Sequence, residues 1–399
     1  MFDPARHTAL TSAEWDPRVA RLAIQEIVDD AADRFDPAAY WPSHPQEEGL
    51  PDGNASLYFG AAGVLWAMEF LKREGAAEHR IEVAAQLPAL LDAVRRQYAV
   101  LAPMSKMELR RPSWLFGDPP VLLMMMRAGA AGAADELFAR IKDNLDLPPL
   151  ELMWGFAGNM LACLFAAELT GETRWWGMFA TQAERLLADL QDTDHGPLWT
   201  TDLYGRSNMR FLGPVHGYAG NVIPLLRGWD WLTADQQARL TQAVPATLAA
   251  NAERGEMGVN WPAMISDGPE KGLTQHCHGA PGMVTALADR HVADATTLAL
   301  LKDGGEFAWR AGPLAKGSNL CHGTGGNGYA FLRLHQLTGE PIWRERAQAF
   351  AMTAIEQRRA ARDEHGRGRY SLWTGDIGLA CYLHECLGGR ARFPTVDVF

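Results

Sequence analysis

The sequence predicts an all-α protein in which seven helical repeats form two concentric layers. A Gly-x-x-Gly motif followed by an apolar stretch recurs along the 399 residues, and amphipathic segments separate its copies. The alternation of β-branched and polar residues that is typical of strands is almost absent. One apolar and one amphipathic helix per repeat would build an inner ring and an outer ring.

Glycine begins each predicted inner helix. Six copies of the motif keep both glycines, and in "FGDPP" at 116–120 a proline, Pro120, replaces the second one. The first glycines are Gly60, Gly117, Gly155, Gly217, Gly279, Gly323 and Gly375. Because glycine lacks a Cβ atom, it permits close backbone approach where the helix starts converge. Residues just before these glycines should therefore surround one central cavity, where free helix N–H groups favour anions and thiolates.

The predicted outer helices repeat apolar residues at intervals of three and four positions, as helices with one buried face do. They cover residues 81–98, 175–191, 235–253 and 341–360. A further helix is predicted at 16–35, inside an N-terminal segment (residues 1–55) that is otherwise irregular and packs on the repeats. We expect a single domain over residues 1–399.

Composition argues against several classes of function. The formal net charge of −11 disfavours binding to nucleic acid or to an anionic membrane. The longest apolar runs fall short of the ~20 residues that span a bilayer. The polar start "MFDPARHTALTSAEWDPRVA" does not resemble a signal peptide. Five cysteines form an odd and sparse set rather than a disulfide framework, so a cytoplasmic location is expected.

The tripeptide Cys-His-Gly occurs twice, at 277–279 and 321–323, each time at the start of a predicted inner helix. Another copy of the repeat has His216 in the corresponding place. If both cysteines and one of His216, His278 and His322 face the cavity, they form a Cys₂His set. Such a set suits Zn²⁺ and leaves a fourth position for water or substrate. Buried free cysteines and packed histidines are the alternative.

The remaining cysteines, a glycine-rich stretch and a comparison with glycosidases do not indicate any further catalytic or binding site. The remaining cysteines lie in apolar helical stretches and are expected to be core residues; they are Cys163, Cys381 and Cys386. "GTGGNG" at 323–328 matches the dinucleotide fingerprint, but neither a strand nor a βαβ unit accompanies it. Glycosidases also occur on helical toroids, yet they use a pair of carboxylates, whereas these repeats present Cys and His.

Taken together, the motifs resemble the LanC-like proteins, relatives of the lanthionine synthetase C cyclases, and more closely their glutathione-binding branch. The resemblance runs from about residue 55 onward and rests on "FGAAG", "ELMWGFAG", "HGYAG", "HCHGAPG", "KGSNLCHGTGG" and "SLWTGDIG". It implies an (α/α)₇ toroid that holds one zinc ion through Cys277, Cys321 and His322. It also implies that a zinc-activated thiol adds to the Cβ atom of dehydroalanine or dehydrobutyrine, with His216 as general acid.

The resemblance implies further site residues. Lys316, and either Arg367 or Arg369, correspond to cations that help to hold glutathione in that branch. Glu151 stands near the position where cyclases carry a functional Asp, and a helix-start carboxylate is the alternative. His278 replaces the tyrosine of cyclases, as in the glutathione-binding branch.

Two positions depart from the family pattern. Lys271 is the only basic residue near the place of a usual arginine, and His276 stands where tryptophan is usual. The expected partners are a low-molecular-weight thiol, with glutathione favoured, and a peptide or protein that contains dehydroamino acids. A lanthionine cyclase and a non-catalytic protein that binds zinc or glutathione are the alternatives.

Overall fold

The computed structural model describes residues 2–47, 53–104, 106, 113–145, 150–266 and 272–399. These residues contain fourteen α-helices, which alternate along the chain between an outer and an inner layer. The outer helices are α1 (Pro17–Asp33), α3 (Val83–Met104), α5 (Ala133–Asp143), α7 (Thr173–Ala188), α9 (Ala234–Ala250), α11 (Ala295–Ala311) and α13 (Pro341–His365). The inner helices are α2 (Ala61–Arg73), α4 (Pro119–Arg127), α6 (Phe156–Thr170), α8 (Tyr218–Arg227), α10 (Ala280–Leu287), α12 (Thr324–Thr338) and α14 (Asp376–Gly388). The predicted all-α fold with two layers is confirmed.

The seven inner helices form a closed ring. Each contacts the next inner helix along the chain, and α14 contacts α2, so the last repeat packs against the first. Backbone hydrogen bonds also join the loops before several of these helices, including the loops before the first and the last inner helix. Tyr58 donates its amide N–H to the carbonyl oxygen of Leu115 (3.0 Å), and Trp373 donates to that of Tyr58 (3.3 Å). Cys321 in turn donates to Trp373 (2.8 Å). Loops from distant parts of the sequence are thereby held side by side at one end of the ring.

Helix α1 serves as the outer helix of the last repeat. It packs against α14, the last inner helix, and also touches α13. Pro17 occupies the first turn, and the side chain of Asp16 accepts the amide N–H of Arg18 at 2.7 Å, which together define the start of the helix. The helix predicted at 16–35 is therefore present, and it completes the outer layer at the point where the ring closes.

The Gly-x-x-Gly motif has a steric origin. A Cβ atom on Gly326 would lie 1.7 Å from the carbonyl oxygen of Leu320, in the loop that precedes helix α12. A Cβ atom on Gly282 would lie 1.8 Å from the carbonyl oxygen of His276. Gly279 also adopts φ +104°, a conformation that side chains with a Cβ atom rarely adopt. The loop before an inner helix thus packs directly onto the first turn of that helix.

The second repeat and two hairpins depart from the regular pattern. Pro119 and Pro120 begin the short helix α4, where their missing N–H groups would have had no helical partner. Two antiparallel hairpins interrupt the helices. They pair β1 (Thr201–Leu203) with β2 (Arg206–Met209), and β3 (Glu253–Gly255) with β4 (Gly258–Asn260). Strands are minor elements in the described residues, as predicted.

The core lies between the layers and within the inner ring. Every residue of α6 from Phe156 to Ala167 is buried, whereas the neighbouring outer helix α7 buries one face. This difference matches the apolar and amphipathic patterns of the two helices. None of the described helices has both the length and the apolar character that a membrane crossing requires.

Candidate metal centre and catalytic site

Three donor atoms for a metal meet at the start of two adjacent inner helices. Cys277 lies just before α10, and Cys321 and His322 lie just before α12. The ligand atoms of these three residues all lie within 4.8 Å of one another. Among the described residues, this is the one cluster of His, Cys and carboxylate side chains compact enough to hold a metal ion. Closure of the ring thus selects His322 from the three candidate histidines.

The chemistry of this donor set fits Zn²⁺. Two sulfur atoms and an imidazole nitrogen are ligands that zinc prefers, and three protein ligands leave one position open. The hydrogen bond between the two thiols holds the pKa of Cys277 well below its ordinary value and raises the pKa of Cys321. A lowered pKa favours the thiolate, which is the form of cysteine that binds a metal cation.

Two side chains donate hydrogen bonds to the cysteine sulfurs. The hydroxyl of Tyr58 lies 2.9 Å from Sγ of Cys321, and Nε2 of Gln275 lies 3.0 Å from Sγ of Cys277. Burial raises the pKa of Tyr58 well above its ordinary value, so its hydroxyl keeps the proton it donates. The guanidinium of Arg6 in turn donates to Gln275 at 3.1 Å. Such contacts orient metal ligands. Sequence reasoning missed these residues, although Tyr58 stands just before a first glycine.

His216 is paired with a buried carboxylate. Its Nδ1 atom lies 2.9 Å from Oε2 of Glu151, whose side chain is fully buried. The same carboxylate accepts the amide N–H groups of Met153 (3.0 Å) and Trp154. With the proton on Nδ1 assigned to this hydrogen bond, Nε2 is the ring nitrogen left for proton transfer. Glu151 thus caps the turn before α6, which is the helix-start role given above as the alternative to a functional one. It also orients His216.

His216, with its partner Glu151, lies at the same end of the ring as the metal donors. The rings of His216 and His278 are 6.3 Å apart, and His278 directly follows Cys277. Tyr204, from the turn between β1 and β2, packs edge-on against His216 with 5.8 Å between ring centroids. Tyr204 keeps 47% of its surface exposed, so an aromatic side chain stands beside His216 on the solvent side. The sequence gives no signal for this residue, because it lies outside the repeats.

A pocket beside the metal donors collects the cations predicted to bind glutathione. Lys316, Arg367 and Arg369 all line it. Asn319 lines the same pocket and accepts the amide N–H of His322 through its side-chain oxygen at 3.0 Å. One residue therefore connects this pocket to a metal donor, and both predicted arginines reach the same space.

Two of the residues singled out in the sequence, Arg369 and His276, have surroundings that the sequence did not indicate. Arg369 forms a bidentate ion pair with Glu47, with N–O distances of 2.8 and 2.9 Å. His276 stacks on Phe393 at 4.2 Å, and burial lowers its pKa to about 4, so it packs as a neutral aromatic ring. This explains how it replaces tryptophan. Lys271 lies outside the described residues.

The other three cysteines are core residues, as expected. Cys163 lies in α6, and Cys381 and Cys386 lie in α14; all three are completely buried. Burial raises the pKa of each of these thiols, so they stay protonated. They take no part in the candidate site.

The closed ring of helix pairs with a Cys₂His cluster at one end defines a helical toroid built around a candidate metal centre. The chain belongs to the family described as "Lanthionine synthetase C-like protein", whose model matches residues 16–398. The LanC-like protein GCL1 of Arabidopsis thaliana is 30% identical over 299 residues, which cover 66% of this chain and 63% of that protein. Glutathione S-transferase LANCL1 of Danio rerio is 29% identical over 218 residues, covering 51% and 49%. The chain thus spans between about half and two thirds of the length of these relatives.

A solved structure supports the fold. Nisin cyclase superposes with a TM-score of 0.60 at 12% identity, over 93% of this chain and 94% of that one. At this identity the similarity concerns the fold alone. The family resemblance drawn from the motifs is confirmed by the family match.

Proposed function

We propose that this protein adds a thiol, with glutathione favoured, to the Cβ atom of dehydroalanine or dehydrobutyrine in a peptide or protein. The observation that carries the proposal is that a Cys₂His donor cluster and an oriented histidine lie at the same end of one ring. A sequence relative named as a glutathione S-transferase supports an enzyme of this kind.

We assign Zn²⁺, one ion per chain, to Cys277, Cys321 and His322. When bound, this ion lowers the pKa of a substrate thiol from ~8.5 towards neutrality and so supplies the nucleophilic thiolate. The protein holds its own donors in place through the hydrogen bonds that Tyr58 and Gln275 donate to the sulfur atoms. Three protein ligands leave room for the sulfur of the substrate.

His216 provides the proton that completes the addition. Attack of the thiolate on Cβ forms the C–S bond and moves the electron pair of the C=C bond onto the adjacent carbonyl group, giving an enolate. Nε2 of His216 then donates a proton to Cα, while Glu151 stabilises the positively charged ring through its hydrogen bond to Nδ1. The thiol proton goes to solvent and solvent reprotonates His216, so the reaction is a net addition without a further reactant.

The pocket beside the donors favours a thiol that carries carboxylates. Lys316 and Arg367 line it, and ammonium and guanidinium groups bind carboxylates through charge-assisted hydrogen bonds. Glutathione carries two carboxylates next to one thiol. Both the cations and their position beside the metal donors therefore support glutathione over a simple alkyl thiol.

The test measures, by mass spectrometry, the rate at which a thioether forms from glutathione and a dehydroalanine peptide. The zinc-loaded wild type is compared with His216→Gln and with a control, His195→Gln, which changes an exposed histidine in the loop after α7. We expect His216→Gln to lower the rate by about 10²–10⁴-fold with zinc content and glutathione affinity unchanged. Equal rates in the two variants would remove His216 from the mechanism. No product with the wild type would favour the non-catalytic binding protein.

A lanthionine cyclase is the second candidate. Glu151, whose buried carboxylate is hydrogen-bonded to His216, stands close to the position where cyclases carry a functional Asp, and this favours the second candidate. In that case the nucleophile is a cysteine of the peptide that carries the dehydroamino acid. A peptide with both groups, offered together with glutathione, separates the two candidates: ring closure indicates a cyclase, and the glutathione adduct indicates the proposed activity.

A further inference from the structure

A carboxylate of the chain itself sits in the pocket assigned above to the thiol substrate. Arg369 donates two hydrogen bonds to the carboxylate of Glu47, from Nη2 at 2.8 Å and from Nε at 2.9 Å. The hydroxyl groups of Ser371 and Thr374 also donate to it, each at 2.9 Å. We call Arg369, Ser371 and Thr374 the carboxylate cradle, because all their donors converge on one carboxylate group.

The carboxylate cradle is buried and belongs to the rim of the ring. Ser371 and Thr374 are buried, Arg369 is 12% exposed, and the Glu47 side chain that fills the cradle is 4% exposed. The three cradle residues lie in the loop just before α14, one of the loops that the ring holds in place. Glu47, in contrast, comes from the irregular segment after α1. The site is thus part of the toroid, and its occupant comes from outside the repeats.

The chemistry of the carboxylate cradle is specific. A guanidinium fork matches the two oxygens of a carboxylate, and two hydroxyl donors satisfy the remaining lone pairs. Arg369 and Thr374 also line the pocket that contains Lys316 and Arg367. In the described part of the chain, no ion-pair partner is found for Lys316 or Arg367. A ligand with two carboxylates could therefore use these cations together with the cradle, provided that Glu47 leaves it.

We propose that the carboxylate cradle binds a carboxylate group of the thiol substrate and that Glu47 occupies the cradle until this carboxylate displaces it. The inference rests on the proposed function for the identity of the substrate, whereas the carboxylate chemistry rests on the cradle. Glu47 prevents Arg369 from being left nearly buried without a partner, which would be unfavourable. The substrate can use the cradle only in molecules from which Glu47 has moved away. The apparent affinity for the substrate is therefore the intrinsic affinity multiplied by the fraction of molecules with an open cradle.

The first test uses acetate as the probe and does not depend on catalysis. Glu47→Ala removes the carboxylate from Arg369, so its unfolding temperature should lie below that of the wild type. We expect sodium acetate to raise the unfolding temperature of Glu47→Ala more than sodium chloride at equal ionic strength does. In the wild type and in the control Glu26→Ala, which removes an exposed carboxylate paired with Arg359, the two salts should act equally. Equal effects of both salts on Glu47→Ala would overturn the proposal.

The second test measures thiol binding by calorimetry on zinc-loaded protein and uses Glu47→Gln, which keeps the shape of the side chain. This variant should bind glutathione about tenfold more tightly than the wild type. Its affinity for cysteamine, a thiol without a carboxylate, should not change. Unchanged or weaker glutathione binding would overturn the role of Glu47.

The two proposals fail in different ways. If the wild type forms no thioether while Glu47→Gln binds glutathione more tightly, the addition chemistry is wrong and the carboxylate cradle stands. If the wild type forms the thioether but Glu47→Gln has the affinity of the wild type, the chemistry stands and the displacement of Glu47 is wrong.

Discussion

The carboxylate of Glu151 accepts three hydrogen bonds, and the substitution Glu151→Gln tests that arrangement without changing its shape. The donors are His216 Nδ1, Met153 N–H and Trp154 N–H. The amide that replaces the carboxylate has only one oxygen, so at least one of these buried donors then faces the NH₂ group of the amide. An unsatisfied buried donor costs about 1–3 kcal/mol, and the remaining bonds lose their charge assistance. We expect the free energy of unfolding to fall by about 2–4 kcal/mol.

Urea unfolding measures this loss directly. The matched control is Glu168→Gln, because Glu168 is 62% exposed and pairs with Arg227 at 3.3 Å. An exposed pair contributes up to about 1 kcal/mol, so the control should stay within that range. A change below about 0.5 kcal/mol in Glu151→Gln would refute the inference that this carboxylate is an obligatory acceptor.

The remaining predictions concern the metal, the repeat glycines and an ion pair. Cys277→Ser should reduce zinc from about one ion per chain to a small fraction, as elemental analysis would show, because one sulfur ligand is lost. Gly326→Ala should destabilise the fold by at least about 2 kcal/mol, because its Cβ atom would overlap a backbone carbonyl. Gly177→Ala, with open space around its helical position, should instead stabilise it by about 0.4–1 kcal/mol in the same urea assay. The hydrogen bonds from Arg392 lower the pKa of Glu74 to about 2. Discounted for solvent screening, the ion pair should therefore add at most about 2 kcal/mol to the free energy of unfolding above the ordinary pKa of that carboxyl, and the contribution should disappear as the pH falls towards 2.

The predictions for Cys277, Gly326 and Glu74 each have a result that contradicts them. Full zinc content in Cys277→Ser would remove that residue from the metal site. A stable Gly326→Ala would show that the loop can move away from the helix. For the ion pair, the stability difference between wild type and Glu74→Gln should shrink between pH 4.5 and pH 2. A constant difference across that range would mean that Glu74 keeps its ordinary pKa.

Residue patterns and family motifs predicted most of the fold and the metal donors, because these features are encoded over short distances. The helical periods and the glycines that begin the inner helices are local. The steric demand behind Gly326 comes from Leu320, only six residues earlier. The residues of a rim loop are likewise set by their position before a glycine, which is why Cys277 and Cys321 could be placed at one cavity.

The partners of the site residues were decided by closure of the ring. Tyr58 reaches Cys321 and Glu47 reaches Arg369 because ring closure brings the first part of the chain against its last two repeats, and no local pattern records these contacts. The same closure turns α1, which the sequence assigned to an N-terminal segment, into the outer helix of the last repeat. The sequence by itself therefore determined the helices, the glycine starts and the metal-type donors. Only the tertiary structure decided which donors and acceptors lie opposite one another, because those pairs depend on the geometry of the complete ring.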